Sequence, residues 1–150
     1  MYGSGTGASL IEGWARQTKI NLVPVSTFDN VASKLVYGKR CLILMDIEGA
    51  ELSCLKGMHE LLSSSENNVY LIEIVVREHQ PSGVGINPNL LETFKIMYEY
   101  GYYAYTANSN PRVVDICEIS KICSTHIDTL GTHNFLFLKN SDILNYLYLI

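Results

Sequence analysis

Two short stretches hold the residues best suited to chemistry. Asp46, Glu48 and Glu51 fall within "DIEGAE", and Glu73, Glu78 and His79 follow within "EIVVREH". Carboxylates near an imidazole suit proton transfer and the orienting of a hydroxyl, because each can accept a proton within hydrogen-bond reach. A plainer role stands beside each. Carboxylates at a helix start satisfy free N–H groups and complement the helix dipole, which accounts for Glu51 well, Glu48 in part and Asp46 least. Glu73 interrupts an otherwise apolar run. It is either a solvent-facing edge position or a buried carboxylate, whose burial is costly unless it is paired.

The elements around these residues follow from pattern. Cys41 to Met45 is a continuous apolar run, as in a strand covered on both faces. Leu52, Leu55, Met58, Leu61 and Leu62 then recur at helical spacing, predicting one amphipathic helix after the acidic turn. The unit repeats: "NVYLIEIVVRE" predicts a strand, and "NPNLLETFKIMYEYGY" a helix opened by Asn87 and Pro88. Leu90, Leu91, Phe94, Met97 and Tyr98 form its apolar stripe, and Gly101 is placed to end it. Upstream, "KINLVPVSTF" predicts a short strand from Lys19 to Phe28, kept to an edge or bulge by Pro24, with a helix following through "VASKL". "YYAYTA" and "HNFLFLKN" predict two further strands, and "SDILNYLYLI" a short terminal helix or tail. Residues 108–132 read as irregular, too long for a plain loop, and so are expected to carry local structure or cover a site.

Two consecutive strand–helix units imply a parallel α/β sheet with right-handed crossovers. Ligands of such sheets bind outside the carboxyl ends of the strands. That rule selects Asp46, directly after the first strand of the pair, and Glu73, Glu78 and His79 at and beyond the end of the second.

Composition sets limits. The chain has 150 residues, 47% hydrophobic and 17% charged, enough for one domain with a real core. Its net charge of −4, with Lys and Arg scattered singly, gives no footprint for a phosphate backbone, so no nucleic-acid partner is expected. No apolar run approaches the roughly 20 residues of a membrane span, and no basic-then-apolar leader opens the chain, so a cytoplasmic protein is expected. Cys41, Cys54, Cys117 and Cys123 lack CxxC spacing and read as reduced thiols.

Other candidate motifs are weaker. Gly3-Ser4-Gly5-Thr6-Gly7 looks like a phosphate loop, but no strand precedes it and the GxGxxG spacing is missing, so it reads as a flexible loop. Cys117, Cys123, His126 and His133 only partly meet the spacing of a structural zinc site, and no metal is expected. The tyrosines of "MYEYGYYAY" read as packing rather than a stacking platform.

One resemblance joins these residues. The order "LVPVSTFDNV", "LILMDIEGAELSCLKGMHELL", "VYLIEI" resembles the FkbM family of S-adenosylmethionine-dependent methyltransferases. The hallmark is D-x-E-G-A-E, here Asp46 to Glu51, followed by Leu55-Lys56-Gly57. Thr27-Phe28-Asp29, Glu73, "GYYAY" and "HNFLFL" occupy the positions of weaker family elements. The match covers roughly Ser9 to Leu138.

The resemblance implies a Rossmann-like class I methyltransferase sheet, of which this chain supplies the C-terminal half: parallel strands, crossover helices and a closing antiparallel strand. The N-terminal cofactor-binding half is absent on this reading, and the chain is expected not to act alone. It also implies methyl transfer from S-adenosylmethionine to a hydroxyl of a small molecule, sugar or glycan. Asp46, Glu73 and His79 are then expected to be catalytic, Asp46 and Glu48 to hold the cofactor, and Glu51 and Glu78 to face the substrate. The alternative is a non-catalytic half-fold that binds a protein partner through its open sheet edge, whether the missing half or another chain.

Overall fold

The structure, a computed structural model, describes residues 8–14, 19–64 and 68–139. The Gly3–Gly7 loop and the "SDILNYLYLI" segment lie outside the described residues.

A five-stranded mixed sheet carries the fold. Strand β1 (Leu42–Met45) lies parallel to β2 (Val69–Glu73), in the register Leu42 to Val69 and Met45 to Ile72. Two helices, α2 (Glu51–Lys56) and α3 (His59–Ser63), make the crossover. After β2 come α4 (Leu90–Glu99), β3 (Tyr103–Thr106), β4 (Val113–Val114), α5 (Ile116–Thr125) and β5 (Asn134–Leu138). The spatial order is β1-β2-β5-β3-β4. β5 runs antiparallel to both β2 and β3, so β1, β2 and β3 share one direction and β5 is wedged between the last two. The expected parallel pairing is thus realised for β1 and β2, while β3 is separated from β2 by the closing strand.

Strand alternation divides the sheet into two faces. Met45, Tyr70, Ile72, Ala104, Phe135 and Phe137 look onto the helices and are buried with Leu55, Leu62, Phe94, Met97, Ile119 and Ile122. On the opposite face Val69, Tyr105 and Leu138 form a smaller buried group. Leu42 and Leu44 on that face are 65% and 69% exposed, and no strand pairs with the outer side of β1 among the described residues.

The predicted strand over Lys19–Phe28 does not form. Ile20 makes an isolated bridge, residues 21–27 carry no ladder, and Leu22 is 98% exposed. Branched residues favour a strand only where a pleated neighbour packs against them, and Pro24 removes a donor. The segment instead docks at its end. Thr27 caps helix α1 (Phe28–Val36) by accepting the Asn30 N–H, and the Asp29 N–H donates to the Gly57 carbonyl at 3.0 Å.

That docking also divides the predicted single helix. A side chain at Gly57 would stand 3.2 Å from Thr27 Cβ, so glycine admits the approach. The Gly57 and Met58 N–H groups bond three residues back, to Cys54 and Leu55, and this tight turn separates α2 from α3.

Helix α4 follows its predicted stripe, with Leu90, Phe94 and Met97 fully buried. Asn87 opens the segment through its side chain, which accepts the Asn89 N–H and donates to the Val75 carbonyl. Gly101, at φ +80, closes it: its N–H bonds Tyr98 O and that of Tyr102 bonds Met97 O, the paired bonds of a left-handed helix stop. The segment 108–132 contains β4 and α5, the latter capped by Asp115, which accepts the Cys117 N–H. The four cysteines are free thiols. Among the described residues no helix is long and apolar enough to cross a membrane.

Candidate functional site

The chain leaves β1 at buried Met45 and turns sharply. Asp46 is exposed, and Glu48 and Gly49 both take left-handed backbone, φ 55 and 94. Glycine adopts this freely, whereas glutamate does so only where its surroundings enforce it. Glu51 closes the turn from inside, with its Oε1 accepting the Gly49 N–H at 3.0 Å. Glu51, expected to face a substrate, is 5% exposed, with its side chain bonded within the turn. Burial pushes its carboxyl pKa up, against the backbone N–H groups that pull it down.

A second segment covers the turn. Ser9 donates its hydroxyl to the Glu48 carbonyl while accepting the Ile11 N–H. Trp14 donates its indole N–H to Glu48 Oε2 at 2.9 Å. Its ring lies flat enough on the turn that a Cβ at Gly49 would come within 2.6 Å of it. Trp14 is 3% exposed.

The other wall rises from β2. Glu73 ends the strand opposite Asn134, and buried Val75 and Val76 lead into a loop held by the Asn87 side chain. His79 also has left-handed backbone, φ 61, and its Nδ1 lies 4.0 Å from Glu48 Oε2. Its ring meets the Trp14 ring edge-on at 6.1 Å between centroids. Glu78 reaches His133, the residue before β5, at 3.3 Å. Burial raises the Glu73 carboxyl pKa, and the charges of Asp46 and Glu48 raise it further; His133 and His79 oppose them. Glu78 shifts the other way, because its own N–H and that of Arg77 stabilise its carboxylate.

The fold therefore gathers Glu48, Glu73, Glu78 and His79 at the carboxyl ends of β1 and β2, joined by His133, with the Asp46 charge felt at Glu73. Asp46 itself lines a cavity of about 510 Å³ with Leu10, Val25, Ile47, Ala50 and Cys54. Burial and then the Glu51 charge push the Cys54 thiol pKa up, so it stays protonated. A larger cavity of about 640 Å³, between α1 and α3, is lined by no residue of the acidic turn or of the loop after β2.

Three participants had no clear sequence signal. Ser9 and Trp14 belong to a segment without periodicity, and the only hint was that the chain's single tryptophan stands there. His133 stood out only as a partial zinc ligand. Among the described residues no group of three His, Cys, Asp or Glu side chains is arranged to hold a metal.

The family model described as the methyltransferase FkbM domain matches residues 4–103, two thirds of the chain, including the acidic turn, β2 and α4. No curated protein and no solved structure matches the chain.

Proposed function

The chain belongs to the FkbM methyltransferase family, and from this premise we propose that it transfers a methyl group from S-adenosylmethionine to a hydroxyl of a small molecule, sugar or glycan. One observation carries the reading: Asp46, Glu48, Glu73 and His79 stand together at the carboxyl ends of two parallel strands, where open α/β sheets take their ligands.

The residues present fit the cofactor. The cavity beside the turn is apolar along Leu10, Val25, Ile47 and Ala50 and carries the Asp46 carboxylate, which suits a ligand with an apolar body and a cationic group. Asp46 would hold it from the cavity, and Glu48, which is outside the cavity lining, from the side of the turn that faces His79. When bound, S-adenosylmethionine supplies an electrophilic methyl group on a sulfonium. Asp46 orients the acceptor hydroxyl and receives its proton as the oxygen is methylated. Glu73, with its carboxyl pKa raised, and His79 are the second candidates for that role. Glu78, exposed beside His133, would face the substrate, and Glu51 shapes the turn from within.

The test is calorimetric titration of the chain with S-adenosylmethionine, followed by methyl transfer to hydroxyl acceptors. Saturable heat would show that the chain takes the cofactor on its own, and in the active enzyme Asp46→Ala should abolish transfer while leaving the circular dichroism unchanged. No heat at high protein concentration would remove autonomous methyl transfer by the chain, and undiminished transfer by Asp46→Ala would remove the role of Asp46.

A second reading draws on the open outer side of β1. With Leu42 and Leu44 exposed there, the half-fold would serve as a non-catalytic module that pairs with a protein partner through this edge. Absence of cofactor heat together with an association lost in Leu44→Lys would favour it.

A further inference from the structure

Two residues of the segment 8–14 bond the same residue of the acidic turn. Ser9 and Trp14 both bond Glu48, one at the backbone carbonyl and one at the carboxylate. The same indole fills the space that a side chain at Gly49 would take and meets the His79 ring edge-on. Gly13, at φ +80, lies close to Pro81, so the segment also rests on the loop that carries His79. Among the described residues Ser9 meets the Glu48 carbonyl and Trp14 and His79 meet its carboxylate from outside the turn, and Trp14 supplies the hydrogen bond to that carboxylate.

We propose that Trp14 is a positioning residue of the site: its indole N–H holds the Glu48 carboxylate in place between the acidic turn and His79, and so sets the group that meets the cofactor. The inference rests on the methyltransferase reading, because it assigns Trp14 its effect through Glu48. It adds a residue that no part of the DxEGAE pattern contains. A tryptophan serves here because its flat ring covers Gly49 while its edge donates; phenylalanine would cover without donating.

The experiment compares S-adenosylmethionine affinity and thermal unfolding in the wild-type chain, Trp14→Phe, Glu48→Ala and the double variant. Loss of a hydrogen bond to a charged group corresponds to about a tenfold change or more. Trp14→Phe is expected to weaken binding by about that factor, and because the bond is present without ligand its loss also lowers the melting temperature. In the Glu48→Ala background Trp14→Phe should weaken binding no further, since the two act as one unit. A merely structural tryptophan would instead leave the affinity of the folded variant unchanged or act additively with Glu48→Ala. Should Trp14→Phe fail to fold, the single indole N–H resonance of the wild type carries the test; that resonance should move on S-adenosylmethionine addition and lose its Glu48-dependent position in Glu48→Ala. Wild-type affinity in a folded Trp14→Phe, additive losses, or an indole resonance that neither S-adenosylmethionine nor Glu48→Ala moves, overturns the positioning role and leaves the methyltransferase reading standing. No binding by the wild-type chain overturns its autonomous methyl transfer and the positioning role together.

Discussion

Glu48 and His79 face each other across the end of the sheet, Oε2 to Nδ1 at 4.0 Å, and both hold left-handed backbone. A non-glycine residue pays roughly 1–2 kcal/mol for that conformation, and it persists only where neighbours enforce it. Ser9 and Trp14 bond Glu48, and Trp14 also flanks His79. Two strained residues from loops far apart in sequence, sharing one aromatic neighbour, mark this end of the sheet as the part of the fold least explained by stability alone.

Gly49 and Gly101 offer a controlled comparison. Both have positive φ, +94 and +80, but a Cβ at Gly49 would meet Trp14 at 2.6 Å, whereas one at Gly101 meets nothing within 4 Å. Gly101→Ala should therefore cost only the backbone strain, about 1–2 kcal/mol. Gly49→Ala adds overpacking against a buried ring and should cost about 3 kcal/mol or more. Urea unfolding measures both. Equal losses would mean that Trp14 does not rest on the turn.

Glu51 gives a pH prediction with a definite sign. Its folded pKa is raised above 4.5 by burial, so between 4.5 and the folded value the folded chain binds more protons than the unfolded one. Stability from this group therefore falls as pH rises through that window. Glu51→Gln keeps an oxygen for the Gly49 N–H and has no charge to bury. It should be at least as stable as the wild type at pH 7, with a flatter profile above pH 4.5. The slope is reduced and not abolished, because Glu73 shifts in the same direction. Glu51→Leu leaves the Gly49 N–H buried without its acceptor, at a cost of about 1–3 kcal/mol. Chemical denaturation across pH 4 to 8 distinguishes these, and a Glu51→Gln profile as steep as the wild type's would contradict the account.

Arg112 and Glu118 behave oppositely. Their two nitrogen–oxygen contacts are both 2.8 Å, Thr129 donates its hydroxyl to the same carboxylate, and its carbonyl accepts from Arg112. The guanidinium hydrogen bond holds the Glu118 carboxyl pKa below its usual value. This contribution is present above pH 4.5 and is lost as pH falls through the folded value. The pair is partly exposed, so Arg112→Lys, which forfeits the forked geometry, should cost about 0.5–1 kcal/mol. The loss should shrink in high salt, and an unchanged midpoint in low-salt denaturation would show that the fork adds nothing.

The sheet and the site differ in how far their sequence announced them. β1, β2, β3 and β5 were legible because each is a short apolar run between turn residues, and α4 because its stripe and its Gly101 stop agree, although the helix begins at Leu90 with Asn89, not Asn87, at its cap. α5 was missed although Ile116, Ile119 and Ile122 fall at helical spacing behind the Asp115 cap, since branched residues weaken the helical signal. The Lys19–Phe28 strand was over-read for the converse reason: branched residues promise a strand only when a neighbour covers them. Within the site, Asp46 and Glu48 were visible as a dense acidic motif. Trp14 was not, because its place depends on a tertiary return of the chain that no local period encodes.

Two tyrosines make opposite predictions from the same chemical change. The Tyr70 hydroxyl is buried with no hydrogen-bond partner among the described residues, in a side chain that is otherwise fully packed and edge-on to Tyr102. A buried polar group without a partner forfeits its hydration and gains nothing in return. Tyr70→Phe keeps the ring and removes that cost, so the variant should be as stable as the wild type or more stable by up to about 1 kcal/mol. The Tyr98 hydroxyl, by contrast, donates to the Val114 carbonyl at 2.6 Å and ties α4 to β4. Tyr98→Phe breaks that bond and leaves a buried strand carbonyl short of a donor, which should cost about 0.5–1.5 kcal/mol. The two variants differ from the wild type by the same single oxygen, so composition and ring packing cancel in the comparison. Urea denaturation at pH 7 should rank Tyr70→Phe above Tyr98→Phe, and the reverse ranking would show that the Tyr70 oxygen is satisfied in the folded chain.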